Sequence, residues 1–247
     1  MEWSDEGIVL GARPFGESGA IAEIFTREHG RAAANGAWRR EQAHAPDPAS
    51  GQHGQPNVEG AHGENSSASL RPSKYRVSRP YAANIMEDAV ALAGINSAVA
   101  MLRLGSAERQ PYPNLFEALI LLIEGAQRYD RLAALYARFE LGLLAELGYG
   151  LDLSVCALTG VTDDLAFVSP RSGRAASREA GEQFADKLLR LPPFLTDPDK
   201  PVEEGDVADA LALAGYFLER RLFDPQGQGM PPARVRLIER LGFAGRL

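Results

Sequence analysis

Arg31, Arg39 and Arg40, with Trp38 beside the last two, are the side chains near the N-terminus best suited to holding a nucleic acid. Guanidinium groups bind phosphate through charge and an indole stacks on a base, so this set is the N-terminal candidate for contact with single-stranded DNA. A solvated basic stretch is the simpler alternative for the same residues. A second set of arginines lies near the other end: Arg220, Arg221, Arg234, Arg236 and Arg240. Other chemistry is harder to assemble. His29, His44, His53 and His62 all fall in the first 62 residues, the last three at intervals of nine. A metal needs ligands converging on a folded frame, which that stretch does not offer, so no metal is expected. Cys156 is the only cysteine, which excludes an internal disulfide and an all-cysteine metal site within one chain. No histidine lies near it to activate it, so nucleophilic catalysis is not expected. Asp163 and Asp164 are adjacent loop residues that face solvent on the simplest reading. No G-x-x-x-x-G-K-[ST] phosphate loop occurs, which argues against an NTPase. The chain therefore reads as a binder without a cofactor, not as an enzyme.

Net charge is -7, which argues against wholesale attraction to nucleic acid, yet its distribution is uneven. Residues 31–80 hold seven basic and four acidic side chains, whereas 81–204 carry a net -7. Residues 225–247 set four arginines against Glu239 alone. Two basic regions thus flank an acidic middle. At 247 residues, with 45% hydrophobic and 24% charged content, the chain is of globular type and long enough for two small domains. It has no apolar run of about 20 residues and no basic-then-apolar leader, so a cytoplasmic protein without a membrane span is expected.

Short apolar runs separated by turn residues predict an antiparallel hairpin: Gly7 to Arg13, a turn at Gly16-Glu17-Ser18, then Ala20 to Thr26. From Glu41 to Ser73 the only large aliphatic residues are Val58 and Leu70, too little apolar surface to offset the entropy of ordering. Helical periodicity starts near Ile85 and runs through Leu102. Asn114 is placed to cap a helix over Leu115–Ala126, and Asp130 one over Arg131–Leu147 that ends at Gly148 and Gly150. A loop-rich insert follows, with an extended piece at Leu165–Val168. Further helices are predicted at Arg178–Leu189, Val207–Phe223 and Ala233–Leu241.

Several segments together resemble the RecO family of bacterial recombinational repair proteins, of the alphaproteobacterial type. The opening WSDEGIVLGARPFGESGAIAEIFTREHGR resembles the first hairpin of that family's N-terminal OB-fold. RFELGLLAELGYGLDLSVCALTG, FVSPRSGRAASREAG, LPPFL and ALALAGYFLERRLFDPQGQGMPPARVRLIERL resemble its helical domain, in the family's order. The resemblance covers residues 1–31 and 81–247. It implies an α+β chain, with an OB-type domain over 1–80 that is incomplete because 32–74 is aberrant or disordered. A mainly helical domain then occupies 81–247, with an insert at about 151–180. It also implies binding of single-stranded DNA, of RecR and of the C-terminal tail of the single-stranded DNA-binding protein, in support of RecA loading and strand annealing in the RecFOR pathway, near the nucleoid. That tail is acidic and ends in an aromatic residue, so it needs an apolar pocket edged by positive charge. Arg220, Arg221, Arg234, Arg236 and Arg240 could form the edge, with Leu218, Leu222, Leu237 and Leu241 as the apolar part. A helical protein-interaction scaffold without DNA binding is the alternative.

Two departures from the family pattern stand out. Zinc-binding members carry paired C-x-x-C motifs in the insert, whereas this chain has Cys156 with Thr159, then Ser177 with Ala180, so zinc is not expected. The second is 32–74, where the remaining OB strands belong. Codons can be chosen for Gly51 to Glu64 whose +1 frame reads GNTVNLTWKARMA, an alternating strand pattern. A displaced frame would entail compensating insertions or deletions near codons 32 and 75.

Overall fold

The computed structural model describes residues 2–15, 19–36, 54–61, 71–80, 85, 88–126 and 131–247. An antiparallel sheet of five strands comes first: β1 (Glu2–Phe15), β2 (Gly19–Thr26), β3 (Gly30–Gly36), β4 (Gly54–Ala61) and β5 (Arg71–Pro80), in the order β3-β2-β1-β4-β5. The predicted hairpin is β1 with β2, in a register from Gly7 opposite Thr26 to Phe15 opposite Gly19. Its turn residues, 16–18, lie outside the described residues. β1 changes partner along its length, pairing Glu2–Glu6 with β4 and Gly7–Phe15 with β2, with a bulge between Val9 and Gly11. A long strand shared between two ladders and bent by a bulge curls a sheet. The edge strands β3 and β5 consequently approach one another, yet among the described residues no ladder joins them and the sheet is not closed into a barrel. This is an incomplete OB-type arrangement, and with the helices that follow it makes the chain α+β. Within 32–74 the described backbone, 32–36, 54–61 and 71–74, is strand.

Helices follow: α1 (Ala89–Gly105), α2 (Pro113–Gly125) and α3 (Leu132–Glu146). Asp88 starts α1 as a side-chain cap, its Oδ1 accepting from Val90 N at 2.7 Å and Ala91 N at 3.3 Å. The predicted cap at Asn114 is not formed. Pro113 supplies the pre-set φ of a first helical residue, and the Asn114 amide instead donates to Glu146 Oε1 at 2.6 Å, at the end of α3. Asp130 lies outside the described residues, and α3 starts after Arg131 without a side-chain cap. The insert contains a three-stranded sheet, β6 (Leu165–Val168) flanked by β7 (Ala175–Ser177) and β8 (Leu189–Arg190). The helix predicted over Arg178–Leu189 is a single turn, Arg178–Gly181, followed by a 3-10 stretch, Glu182–Lys187. Pairing of Leu189 with Val168 draws the chain back into the sheet and ends the helix early. α4 (Asp206–Phe217) passes into a π-helical turn, Leu218–Phe223, and α5 (Pro232–Phe243) closes the chain.

One apolar core runs through the helices and into the sheet: Ile8, Leu10 and Phe25 share it with Phe116, Tyr136, Phe139, Phe194 and Phe217. Phe25 and Phe116 rings lie 5.8 Å apart, and Arg27 caps the Phe116 ring at 4.8 Å while pairing with Glu6 and Glu117. The LPPFL segment is fixed by Arg138, whose Nη2 donates to the Phe194 carbonyl. Inside the helical core, Glu140 of α3 forms a two-pronged pair with Arg234 of α5, at 2.6 and 2.9 Å, and Arg234 also donates to the Leu211 carbonyl at 2.7 Å. Burial alone would lower the Arg234 guanidinium, but the charge and hydrogen bonds of Glu140, together with Tyr136 and Glu219, outweigh it and raise it, so Arg234 stays charged. Burial, then the Glu140 charge, push the Tyr136 phenol well above its ordinary value, so it stays neutral 2.5 Å from Ser97 Oγ.

Candidate nucleic-acid and partner interface

Arg31 stands on β3 opposite Phe25 of β2. Its side chain is largely enclosed: Nη1 donates to Glu23 Oε1 at 2.7 Å and Nη2 to the Ser106 carbonyl at 3.0 Å, while the Arg31 carbonyl accepts from the Arg109 N–H. It thus ties the sheet to the end of α1 at the same time as it carries charge. Trp38, Arg39 and Arg40 lie outside the described residues. Two arginines that the sequence reading did not single out gather beside Arg31: Arg103 of α1, whose Nε donates to Glu23 Oε2 at 2.7 Å, and Arg13 of β1. Nothing in their spacing along the chain announces this, because a strand and a helix some 90 residues apart supply them.

At the hairpin end of the β2–β3 ladder the turn is organised by a buried acid. Asp5 Oδ1 accepts from Glu6 N at 2.8 Å, and Oδ2 accepts from Glu28 N at 2.9 Å and lies 3.0 Å from His29 Nδ1. Asp5, Glu28 and His29 are close enough to share a cation, but the Asp5 oxygens already serve three partners that fix the turn. His29 is therefore a turn residue here, while His44, His53 and His62 lie outside the described residues.

The C-terminal arginines divide by role. Arg234 points inward to Glu140, in space left by Gly215, where a Cβ would press on its guanidinium. Arg221 holds the insert: its Nη1 donates to the Tyr149 carbonyl at 3.0 Å and Nη2 to that of Ser172 at 3.0 Å, with the guanidinium 4.5 Å over the Phe217 ring. Arg220 lies outward against Tyr216, donating to its hydroxyl at 2.7 Å. Arg236 and Arg240 are exposed one turn apart on α5, beside Val235, Glu239 and Phe243, the last 94% exposed. Leu218, Leu222, Leu237 and Leu241 are core residues, so the apolar side chains displayed with these arginines are Val235 and Phe243.

The insert brings together the positions that the sequence pairs. Cys156 is buried with Phe167 and Ala176, and Ala180 packs against them. Burial pushes the thiol up, but hydrogen bonds from Thr159, Ser177 and the Leu158 backbone outweigh it and bring it to about 6. A tetrahedral thiolate site needs sulfur at all four corners; two hydroxyls and a methyl do not fit zinc. The corner is held by packing and by the Cys156 N–H donating to the Val161 carbonyl at 2.7 Å. Restoring the ligands in the triple variant Thr159→Cys, Ser177→Cys, Ala180→Cys is expected to yield one tightly bound zinc per chain by metal analysis after dialysis, against none for the unaltered chain.

Comparison with known proteins covers most of the chain. The model of the recombination protein O N-terminal domain matches residues 1–47, and that of its C-terminal domain matches 86–228. A DNA repair protein RecO of Phenylobacterium zucineum is 44% identical over 247 residues, all of both chains. One from Caulobacter vibrioides strain NA1000 is 43% identical over 251 residues, again all of both. Another, from Rhodospirillum centenum, is 40% identical over 250 residues, spanning 97% of this chain and 94% of its own.

Proposed function

The chain belongs to the RecO family, and from that premise we propose that it serves DNA repair as a mediator that binds single-stranded DNA and partner proteins and performs no catalysis. The observation that carries this reading is the full-length family match, combined with two separate arginine displays on one frame. One lies where the N-terminal sheet meets α1, and the other is on α5. The first suits a phosphodiester backbone, with Trp38, Arg39 and Arg40 as further contacts of the same kind. The second suits an acidic peptide ending in an aromatic residue. Arg236, Arg240 and Arg220 supply the charge and Val235 with Phe243 the apolar contact, while Arg221 and Arg234 support the frame from within. In this role the protein recruits the tail of the single-stranded DNA-binding protein, acts with RecR, and helps RecA replace that binding protein on DNA and complementary strands anneal. No helix among the described residues is long and apolar enough to cross a membrane, and the proposed place of action is the nucleoid.

Fluorescence anisotropy with labelled single-stranded DNA over a salt series tests the reading, with the acidic tail peptide titrated in parallel. Affinity for DNA is expected to fall steeply with salt, with a log–log slope of about -0.7 per phosphate contacted. The double variant Arg236→Ala, Arg240→Ala is expected to weaken tail binding on the order of tenfold, the scale of one charge-assisted contact, and to leave DNA affinity within about twofold. Tail binding without DNA binding would favour the helical scaffold instead, and neither would remove both readings.

A further inference from the structure

Where β1 and β3 face the C-terminal end of α1 there is a cleft of about 320 Å³, lined by Ala12, Ala32, Ala33 and Ile21 and by Arg13, Arg31 and Arg103. Glu23 sits among the arginines. Its carboxylate is gripped from two sides, by Arg31 Nη1 and by Arg103 Nε, each at 2.7 Å. Arg31 Nε is buried with no hydrogen-bond partner among the described residues. Arg103 lies flat on the strand at Gly11, where a Cβ would collide with its guanidinium, and Gly11 follows the β1 bulge. The bulge and the missing side chain together admit Arg103 to the cleft. Its Nη groups have no acceptor among the described residues, and Arg13 is exposed with none either. Three guanidinium groups face two carboxylates here, Glu23 and the exposed Glu108, so the cleft is positive on balance.

A carboxylate bridging two guanidinium groups presents the same pair of oxygen acceptors as a phosphate. We propose that this cleft seats one backbone phosphate of single-stranded DNA between Arg13, Arg31 and Arg103, and that Glu23 is an internal competitor occupying the seat until the strand displaces it. The inference rests on the mediator reading and adds regulation to it, since a strand that must expel Glu23 binds more weakly and leaves more readily. A phosphodiester fits better than an acidic peptide because three guanidinium groups converge on the seat, while Ile21 is the one large apolar side chain among the described lining residues, too little to hold an aromatic ring.

The test is anisotropy with labelled oligothymidylate at fixed salt and then over a salt series. Glu23→Gln is expected to tighten binding about tenfold, as one charge-assisted contact passes from Glu23 to the strand. Glu28→Gln, which removes an exposed carboxylate from the β2–β3 turn outside the cleft, is expected to change it less than about twofold because solvent and salt screen such a charge. Adding Arg103→Ala to Glu23→Gln should abolish the gain and reduce the salt slope by about 0.7. Equal gains in the two glutamine variants, a gain that survives Arg103→Ala, or a gain for the acidic tail peptide in place of DNA would each overturn the proposal. Arg13→Ala keeps the test sound if Glu23→Gln fails to fold, because Arg13 is exposed and its loss spares the frame. It should weaken binding and lower the slope by the same step, and unchanged binding overturns the seat. DNA binding indifferent to every variant removes the seat alone, whereas no DNA binding by the unaltered chain or by Glu23→Gln removes the mediator reading with it.

Discussion

Arg234→Ala is expected to cost about 3–5 kcal/mol of folding stability, the range for removing one partner of a buried ion pair. The reason is what remains: Glu140 is fully buried on α3 and the Leu211 carbonyl faces the vacated space, so a charge and an acceptor both lose their donors. Urea denaturation followed by circular dichroism measures this as a fall in midpoint. A loss below about 1 kcal/mol would show that water or a neighbouring side chain re-satisfies Glu140, and the pair would then count for little. Replacing both partners, Glu140→Leu with Arg234→Met, is expected to recover most of the loss, because the desolvation of two charges disappears along with their attraction. That recovery separates a stranded charge from a simple cavity, which a second truncation would deepen.

Gly30→Ala is the second large effect, and it acts on the joint between sheet and helices. Gly30 opens β3 at φ +67°, a conformation that costs an L-residue about 1–2 kcal/mol, and a Cβ there would overlap the Gln110 carbonyl on the loop after α1. Relief requires β3 to move away from that loop, which breaks the Arg31 contact with Ser106 and the Arg109 N–H bond to the Arg31 carbonyl. We expect at least about 2–3 kcal/mol of destabilisation by the same urea assay, from strain combined with lost hydrogen bonds. Weaker binding of single-stranded DNA should accompany it, because Arg31 and Arg103 would no longer face each other across Glu23. A variant as stable as the parent would mean that the loop at Gln110 yields freely.

Much of the frame is legible along the chain because its signals are local. The hairpin of β1 and β2 follows from short apolar runs, and α1, α2, α3 and α5 follow from apolar spacing, since each element buries one face on the same core. The over-long helix predicted from Arg178 has a physical cause. Its periodicity is adequate, but a strand partner for Leu189 and Arg190 competes for the same backbone donors and prevails.

Residue types told less about the sites. An arginine on a predicted helix reads as surface, and Arg236 and Arg240 are; Arg234, two positions before Arg236, turns inward because Glu140 waits on α3 and Gly215 leaves room. Local sequence says nothing of either partner.

By itself, the sequence determined the family, the α+β order of sheet then helices, and that Cys156 has no second thiol in the chain, all properties of residue type and order. Only the tertiary structure decided which arginines hold the molecule together and which face outward. Arg103 came to the cleft with Arg13 and Arg31, and Glu23 between the arginines, through contacts between a strand and a helix distant along the chain. The physical reason is that a guanidinium's role depends on where the nearest carboxylate and the nearest empty volume lie, and both are set by packing across elements.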